Sequence, residues 1–417
     1  MWGLTAAESA LVEAHKNDRN PPADVREIIA YIQQAKNGKL LRVVKSLEHL
    51  EAFLAQSSNI CNLDLSRLDF SSEKGKKILG GIEEFADSVV WPTKMAQERA
   101  EMLERAKDPG LGVRALHRRG WTGKGVSVAI IDQPLLIEHP EYAGRVRYYR
   151  EIGFSEYTRE TGKTHKQASY HGPAVASLSV GKECGTAPGA DLVFVATHNW
   201  LPVPAGVTGR DSTYECASIR HVLELNRTLP ESEKIRCLSC SFGRNDDYKY
   251  EERQALFKQA EEEGIMVFGG YYPSTIGRLI CGLERDVAKT DEVSAYCPER
   301  EWGKRNHLLI PEHQRAFAAA SGGYIYGEKG GYSWTCPYMA GVVACALQAY
   351  PDFARQKGWP DKMWAEMWNT GVSLDKKDKT ASRVINPPGL VDRMLELKRA
   401  KGKTLAAALS ARKRQRS

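Results

Sequence analysis

The sequence has no long uninterrupted hydrophobic run. No window approaches the roughly 18 apolar residues that a membrane-spanning helix requires, so we expect neither a transmembrane segment nor a membrane partner. Residues 1–22 also lack a basic start followed by an apolar core, and they contain Glu8 and Glu13, so we expect no secretory signal. With 417 residues, of which 42% are hydrophobic and 27% charged, the composition is that of a globular protein that can bury a large core.

The cysteines show no metal-binding pattern. There are nine, an odd number scattered along the chain, and several lie in apolar runs, where reduced cysteine behaves as a small hydrophobic residue. Cys237 and Cys240 have CxxC spacing, which leaves a metal or redox role open. Their surroundings are typical of a buried strand, however, and no second pair has ligand spacing. Reduced thiols and the missing export signal together predict a cytoplasmic protein.

Acidic residues are missing from the last twenty positions. Residues 398–417 contain eight lysines and arginines, so this segment carries +8 against +7 for the whole chain. Residues 1–397 are therefore close to neutral, and the excess charge belongs to a basic C-terminal tail. Such a tail is typical of a solvated chain end, and contact with nucleic acid or another acidic surface is the alternative.

The chain falls into segments of different pattern. Residues 1–107 are polar with apolar residues at three- and four-residue steps, which predicts a mainly helical N-terminal region. In residues 108–397, short β-branched runs such as VSVAIID (126–132) alternate with helical patterns. This alternation predicts an α/β fold, with a three-layer, doubly wound and mostly parallel sheet. The carboxyl ends of such strands form the binding crevice, and Asp132 lies at one of them.

Three polar residues of this region have the types and order needed for nucleophilic catalysis. A serine hydroxyl needs a base, usually histidine, and the histidine needs an acid that fixes its tautomer. Asp132 ends a strand, His171 precedes a small-residue helix, and Ser333 precedes the helical run CPYMAGVVAC. Taken singly, each favours a structural role: a cap or salt bridge for the aspartate, a structural histidine, and a plain serine helix cap. Taken together, in the order Asp, His, Ser, they predict one catalytic site.

Glycine and proline near these positions predict how the two helices begin. Gly172 allows the segment of the histidine to approach the sheet closely, and Pro173 fits a first helical turn. Pro337 is likewise predicted in the first turn of the helix that follows Ser333. The free N–H groups and the positive dipole end of that helix would favour an oxyanion.

The segments around these residues resemble those of the subtilisin-like serine peptidases, the subtilases. Over about residues 108–397, GWTGKGVSVAIIDQPLLIEHPEY resembles the family's aspartate segment, HGPAVASLSVG its histidine segment, and GYSWTCPYMAGVVACAL its serine segment. The resemblance implies a subtilisin type of α/β fold, with Asp132 as the orienting acid, His171 as the base and Ser333 as the nucleophile. LSCSFG resembles the family's substrate-pairing strand. It implies a substrate-binding edge with Ser241, Phe242 and Gly243. We expect Gly269 and Gly270 to line the same site together with Gly243, because glycine walls would leave room there for a large side chain.

The sequence departs from the family pattern at the oxyanion hole. In the family an asparagine donates its side-chain amide there, but the corresponding stretch GIMVFGGYYPST has no asparagine, and Pro273 falls on that position. Loss of one such donor costs about 10²–10³ in turnover. The candidates for a replacement donor are Tyr271, Tyr272 and Ser274. Around Ser333 the sequence is also bulkier than the family pattern, with Tyr332, Trp334 and Thr335.

Two functions remain open at this point. The complete set of aspartate, histidine and serine favours a serine endopeptidase that hydrolyses a polypeptide substrate through an acyl-enzyme. The missing asparagine favours a catalytically weak or inactive protein of the same fold, which binds a peptide or partner in the groove. Residues 1–107 are either a removable pro-segment, as many subtilases have, or an accessory domain. We expect no cofactor; the resemblance implies calcium sites, which are common in the family, but no clustered acidic loop identifies one.

Overall fold

The computed structural model describes residues 10, 11, 13, 14, 22, 25, 26, 41–55, 59–155, 168–198, 203, 207–269, 272–298, 301–375, 377, 378 and 380–414. The chain divides into two compact units. The first consists of Met1–Lys107 and Gln314–Lys329, and the second of Asp108–His313 and Gly330–Ser417.

The first unit combines helices with short strands. Ser46 and Ser72 cap two of its helices, because their hydroxyl groups accept hydrogen bonds from the backbone N–H groups of His49 (3.2 Å) and Gly75 (3.0 Å). The helices of the described part are Leu47–Leu54, Glu73–Gly80 and Thr93–Ala106. Two short parallel strands, Arg42–Val43 and Leu63–Asp64, pair with each other.

A hairpin from the second half of the chain completes the first unit. The four strands of its sheet lie in the order Arg315–Ala318, Tyr324–Gly327, Glu84–Ala86 and Asn59–Ile60. Phe85 stacks on Tyr326 across the antiparallel pairing of the hairpin with the N-terminal segment, with ring centroids 5.0 Å apart. Residues 314–329 lie within the range 108–397 of the sequence-based division. Pairing between strands so far apart in the chain leaves no local trace in the sequence.

Five parallel strands form the main sheet of the second unit. They are β1 (Ser127–Asp132), β2 (Val146–Ile152), β3 (Asp191–Thr197), β4 (Ile235–Cys240) and β5 (Met266–Gly269), and they lie in the order β2-β3-β1-β4-β5. Every residue of β1 is buried, as expected for a central strand that is covered on both faces. The strand order reverses beside β1, so Asp132 ends this strand at the topological switch point, where such sheets form their crevice.

Helices cover both faces of the main sheet, and they are α1 (His171–Val180), α2 (Thr213–Thr228), α3 (Tyr250–Glu262) and α4 (Tyr332–Ala349). The helices α2 and α3 pack on one face, around a core to which β1 contributes Ala129 and Ile131. The helices α1 and α4 contact each other and β1. The predicted α/β class, a parallel sheet between two layers of helices, is confirmed.

The rest of the second unit surrounds this sheet. A second sheet has three parallel central strands and an antiparallel strand at each edge, in the order Tyr296–Pro298, Ile280–Arg285, Leu308–Pro311, Arg383–Val384 and Val372–Ser373. The further α-helices are Val113–Arg118, Tyr272–Thr275, Trp359–Thr370 and Pro387–Arg414, and the 3₁₀ turns are Ala143–Arg145, Val293–Ala295, Glu301–Lys304 and Pro351–Arg355. Within the described ranges, every helix is too short or too polar to span a bilayer.

A buried ion cluster joins the loops that precede α2 and α3. Arg253 is fully buried, and its Nη1 donates to Glu215 Oε2 (2.7 Å) and Asp247 Oδ2 (2.8 Å). Its Nη2 donates to the carbonyl oxygen of Arg244 (2.8 Å). Asp247 in turn accepts from the backbone N–H groups of Arg210 (2.9 Å) and Arg244 (2.6 Å). One guanidinium therefore ties the loop that follows β4 to the loop that leads into α2.

We expect Arg253→Met to lower the free energy of unfolding by about 3–5 kcal/mol, because it leaves two carboxylates buried without their cation. The matched control is Arg220→Met, because the pair of Arg220 with Glu252 is partly exposed and contributes less than about 1 kcal/mol. Urea unfolding of the two variants and the wild type measures the difference. Equal losses in both variants would contradict a dominant role for the buried cluster.

Candidate active site

The structure joins the predicted acid and base directly. The carboxylate of Asp132 is buried at the end of β1, where only 3% of its side chain is exposed, and its Oδ1 accepts a hydrogen bond of 2.6 Å from His171 Nδ1. Oδ1 also accepts the backbone N–H of Gln133 (2.8 Å). Because the carboxylate of Asp132 can only accept a hydrogen bond, Nδ1 of the neutral imidazole must carry the proton, and the lone pair lies on Nε2.

Local hydrogen bonds bring the first turn of α1 against the end of β1. Ser169 contacts the carbonyl oxygen of Pro134 through its backbone N–H (2.9 Å) and its hydroxyl (3.2 Å). The same hydroxyl accepts the backbone N–H of Gly172 (3.0 Å), as a helix cap does. A Cβ on Gly172 would lie 2.2 Å from the carbonyl oxygen of Gln133, so only glycine fits there. The predicted close approach at this glycine is confirmed, and α1 begins at His171, with Pro173 in its first turn as predicted.

The pKa of His171 is raised above its ordinary value. Burial alone lowers it, because an imidazolium loses its hydration in the protein, but the charge of Asp132 and the hydrogen bond to Asp132 outweigh that effect. Arg210 makes a smaller contribution, which lowers the pKa. The pair is therefore arranged to hold a proton more strongly than a free histidine would.

Ser333 lies in the first turn of α4, and its backbone is held by Ser241. The helix begins at Tyr332, so Pro337 lies inside the helix rather than in its first turn, where the sequence analysis had placed it. Proline has no N–H, so the carbonyl of Ser333, four residues earlier, lacks the usual helical hydrogen bond from position 337. The hydroxyl of Ser241 donates to this carbonyl at 2.8 Å and supplies the missing hydrogen bond.

The side chain of Ser333 also contacts Ser241, and its neighbour contacts His171. Ser333 Oγ donates to the carbonyl oxygen of Ser241 at 3.3 Å. The next residue, Trp334, stacks on the imidazole of His171, with ring centroids 5.4 Å apart and an angle of 27° between the planes. Asp132 and His171 are thus joined by a hydrogen bond, and Ser333 directly precedes the tryptophan that stacks on His171. The hydroxyl of Ser333 itself donates its hydrogen bond to the backbone of Ser241.

The other residues of the predicted substrate-binding edge follow β4 and β5. Phe242 is half-buried against the core beneath α2 and α3, and Gly243 has a φ of 100°, which favours glycine. Gly269 has a φ of 127°, and a Cβ there would lie 1.8 Å from the carbonyl oxygen of Cys240. The glycine at 269 is therefore required by the close approach of β4 and β5, and its place in a substrate pocket stays a prediction. Gly270 lies outside the described residues.

The predicted oxyanion donors have different surroundings. Tyr272 is 5% exposed, its ring packs against Phe257 in the core, and burial raises its pKa to about 12. Pro273, at the position where the family has asparagine, is buried. Ser274 is exposed, and Tyr271 lies outside the described residues. The backbone N–H of Ser333 belongs to the first helical turn, where such groups have no intrahelical acceptor.

No metal site is apparent among the residues that the structure describes, since no three His, Cys, Asp or Glu side chains gather there in a suitable group. All nine cysteines are free. Cys237 and Cys240 lie buried in β4, which agrees with the interpretation of this pair as strand residues. Burial raises the pKa of both thiols, so they stay protonated near neutral pH.

Sequence reasoning missed three contacts that shape this site. Ser169, three residues before Gly172, carries the serine signal of a helix cap, and this signal identifies it in retrospect. The stacking of Trp334 on His171 joins residues more than 160 positions apart and has no such local signal. The role of Ser241 in holding Ser333 follows from the absence of an N–H at Pro337, which is visible in the sequence only once the start of the helix is known.

No protein-family model matches the chain. Among solved structures, the prenylagaramide maturation protease PagA matches with 15% identity over 68% of this chain and 98% of its own, at a TM-score of 0.47. A structure of the subtilase cytotoxin SubAB matches with 13% identity over 69% of this chain and 95% of its own, at a TM-score of 0.49. Fervidolysin from Fervidobacterium pennivorans, a keratinolytic enzyme related to subtilisin, matches with 18% identity over 69% of this chain and 47% of its own, at a TM-score of 0.46. The roles of individual residues therefore rest on the contacts within the site.

The raised pKa of His171 predicts a pH-dependent contribution to stability. Because the folded-state pKa exceeds the unfolded value, protonated His171 stabilises the fold fully below about pH 6.5, and this contribution is lost as the pH rises through the folded pKa. We expect the difference in free energy of unfolding between the wild type and His171→Gln to shrink over that range. Urea unfolding at several pH values measures it, and a difference that grows with pH would contradict the raised pKa.

Proposed function

We propose that the protein is a serine endopeptidase of the subtilisin-like type, in which Asp132, His171 and Ser333 act as one catalytic triad. The observation that carries the proposal is the hydrogen bond of 2.6 Å between a buried carboxylate and His171 Nδ1, which leaves Nε2 as the base. The three motifs of the sequence that resemble the family support the same assignment.

In the proposed mechanism Ser333 Oγ attacks the carbonyl carbon of a peptide bond while His171 Nε2 takes its proton. The resulting imidazolium is stabilised by the carboxylate of Asp132, which itself stays ionised. His171 then gives the proton to the leaving amine, the C–N bond breaks, and an ester to Ser333 remains. Water, deprotonated by the same histidine, hydrolyses this ester and restores the serine.

The proposal requires one rotation of a side chain. In the described structure Ser333 Oγ donates to the carbonyl of Ser241, and it must turn to donate to His171 Nε2. The bond of 3.3 Å to Ser241 is long for an O–H donor, so little is lost when it breaks. The hydrogen bond between Ser241 Oγ and the carbonyl of Ser333 holds the backbone in place during this rotation.

The oxyanion is held mainly by backbone N–H groups in this proposal. The first turn of α4 offers the N–H of Ser333 and the positive end of the helix dipole. Tyr272 packs against Phe257 in the core, so among the described residues we propose the exposed Ser274 as the side-chain donor. With one side-chain amide fewer than the family pattern, we expect a turnover lower by about 10²–10³ than that of a complete site.

The substrate in this proposal is a polypeptide, bound along the segment from Ser241 to Gly243. Nine free cysteines fit the reducing environment of the cytoplasm, which we propose as the location. The basic segment from residue 398 is a proposed contact for an acidic surface. None of the proposed steps uses calcium.

We expect a fluorophosphonate probe to label the wild-type protein at Ser333 and to leave Ser333→Ala unlabelled. Asp132→Asn should slow labelling by about 10⁴, because the histidine then has the wrong tautomer. Ser71→Ala, at an exposed serine of the first unit, is the matched control and should be labelled as the wild type is. Mass spectrometry of the labelled peptides measures the site. A wild type that is as blank as Ser333→Ala would favour the alternative, an inactive protein that binds a peptide in the same groove.

We further propose that the first unit is a retained accessory domain rather than a removable pro-segment. The hairpin Arg315–Ala318 and Tyr324–Gly327 is hydrogen-bonded to Glu84–Ala86, and the sheet is one unit with the N-terminal segment. Removal of residues 1–107 would expose the edge of Tyr324–Gly327 and the ring of Tyr326, which is 1% exposed in the intact unit. An exposed edge of this kind favours aggregation, so cleavage near Lys107 would leave a compromised product.

Intact-mass measurement tests this proposal on purified protein during prolonged incubation. We expect the wild type and Ser333→Ala to keep the same full mass, because the N-terminal segment is part of the folded unit. Loss of the segment before Asp108 in the wild type, with Ser333→Ala unchanged, would overturn the proposal and identify a self-processed pro-segment.

A further inference from the structure

Trp334 covers one face of the imidazole of His171. The indole is 5% exposed, and the ring centroids lie 5.4 Å apart with 27° between the planes, so the two rings are stacked rather than edge to face. Trp334 follows Ser333 directly in α4, whereas His171 begins α1. The stack therefore joins the helix of the proposed nucleophile to the helix of the proposed base through one aromatic contact.

This contact has a different effect on the two protonation states of the histidine. The face of an indole carries partial negative charge, so it attracts a cation above it more than a neutral ring. Tryptophan gives the strongest such attraction of the aromatic side chains. The indole also keeps water from that face of the imidazole, and this strengthens the interaction of the ring with Asp132.

Among the residues that the structure describes, two charged groups act on His171. Asp132, at the end of β1, favours the imidazolium, and Arg210, in the loop before α2, opposes it weakly. The first turn of α4, from Tyr332 to Thr335, carries no charged side chain. The contribution of α4 to the protonation of His171 therefore comes from the aromatic ring of Trp334 rather than from a charge.

We propose that Trp334 is a positioning residue that fixes the plane of the His171 ring and stabilises its imidazolium form. The inference rests on the proposed function for its catalytic meaning, because the imidazolium is the form that develops when Ser333 gives up its proton. The effect of Trp334 on the protonation of His171 does not depend on catalysis, and it can be measured in an inactive folded protein.

Two substitutions separate the aromatic effect from simple space filling. Trp334→Phe keeps an aromatic face, and Trp334→Met keeps an apolar side chain of useful size without one. We expect Trp334→Met to lower the pKa of His171 by about 0.5–1 unit, and Trp334→Phe to lower it by less than half as much. In the active enzyme, Trp334→Met should reduce kcat by on the order of three- to tenfold and leave KM nearly unchanged.

NMR titration of the full chain with isotope-labelled histidine measures the pKa, in a Ser333→Ala background that prevents self-cleavage. The resonance of His171 is the one that disappears in His171→Gln. Asp132→Asn serves as the positive control and should lower the pKa, since it removes the main partner of the imidazolium. Urea unfolding shows that each variant is folded under the conditions of the titration.

The titration supports the proposal if the pKa falls in the order wild type, Trp334→Phe, Trp334→Met. It overturns the proposal if the two variants shift the pKa equally, or if neither shifts it. Because Ser333 is absent from the titrated protein, this result is independent of whether Ser333 is a nucleophile. Failure of probe labelling at Ser333 would count against the proposed function and would leave the titration result standing.

Discussion

The hydrogen bond between Asp132 and His171 is the constraint on which the rest of the candidate site depends. It requires a carboxylate at the end of the central strand and a helix that begins within reach of it. The cap by Ser169 and the bare Cα of Gly172 bring that helix close enough, since a Cβ at position 172 would collide with the backbone of Gln133. The buried carboxylate then fixes the tautomer of the imidazole and raises its pKa. His171 therefore has its lone pair on Nε2, where it can act as a base.

The serine helix is held by residues whose effects are individually small. Pro337 cannot donate to the carbonyl of Ser333, so this carbonyl is available to the hydroxyl of Ser241. Gly341 lets the helix pack closely, because a Cβ there would lie 1.8 Å from Thr186 Oγ1. A hydrogen bond thus links the predicted substrate-binding edge at Ser241 to the proposed nucleophile Ser333.

Local patterns in the sequence were sufficient to predict the α/β class, whereas the pairing of Asp132 with His171 was predicted from the order of the three residues and from the resemblance of their segments to the subtilases. The short-range signals are the β-branched runs that alternate with helical patterns, the strand that ends in an acid, and the histidine followed by glycine and a proline of the first helical turn; they locate the elements but do not by themselves pair the two side chains. The hairpin of residues 314–329 in the first unit, the stack of Trp334 on His171 and the burial of Tyr272 depend on contacts between distant segments. Nothing in the local sequence encodes them. The prediction that Pro337 lies in the first helical turn was wrong, because the helix begins earlier, at Tyr332, directly after Gly331 with its extended backbone.

The central claim is that Asp132, His171 and Ser333 act as one unit on a peptide bond. The most direct test is the cleavage rate of labelled casein by the single variants Asp132→Asn, His171→Ala and Ser333→Ala and by the triple variant. Residues that act together are strongly non-additive, so the account predicts that Ser333→Ala alone and the triple variant lose about the same activity, on the order of 10⁶-fold. Losses that multiply from one variant to the next, or a Ser333→Ala protein that still cleaves at the wild-type rate, would contradict it.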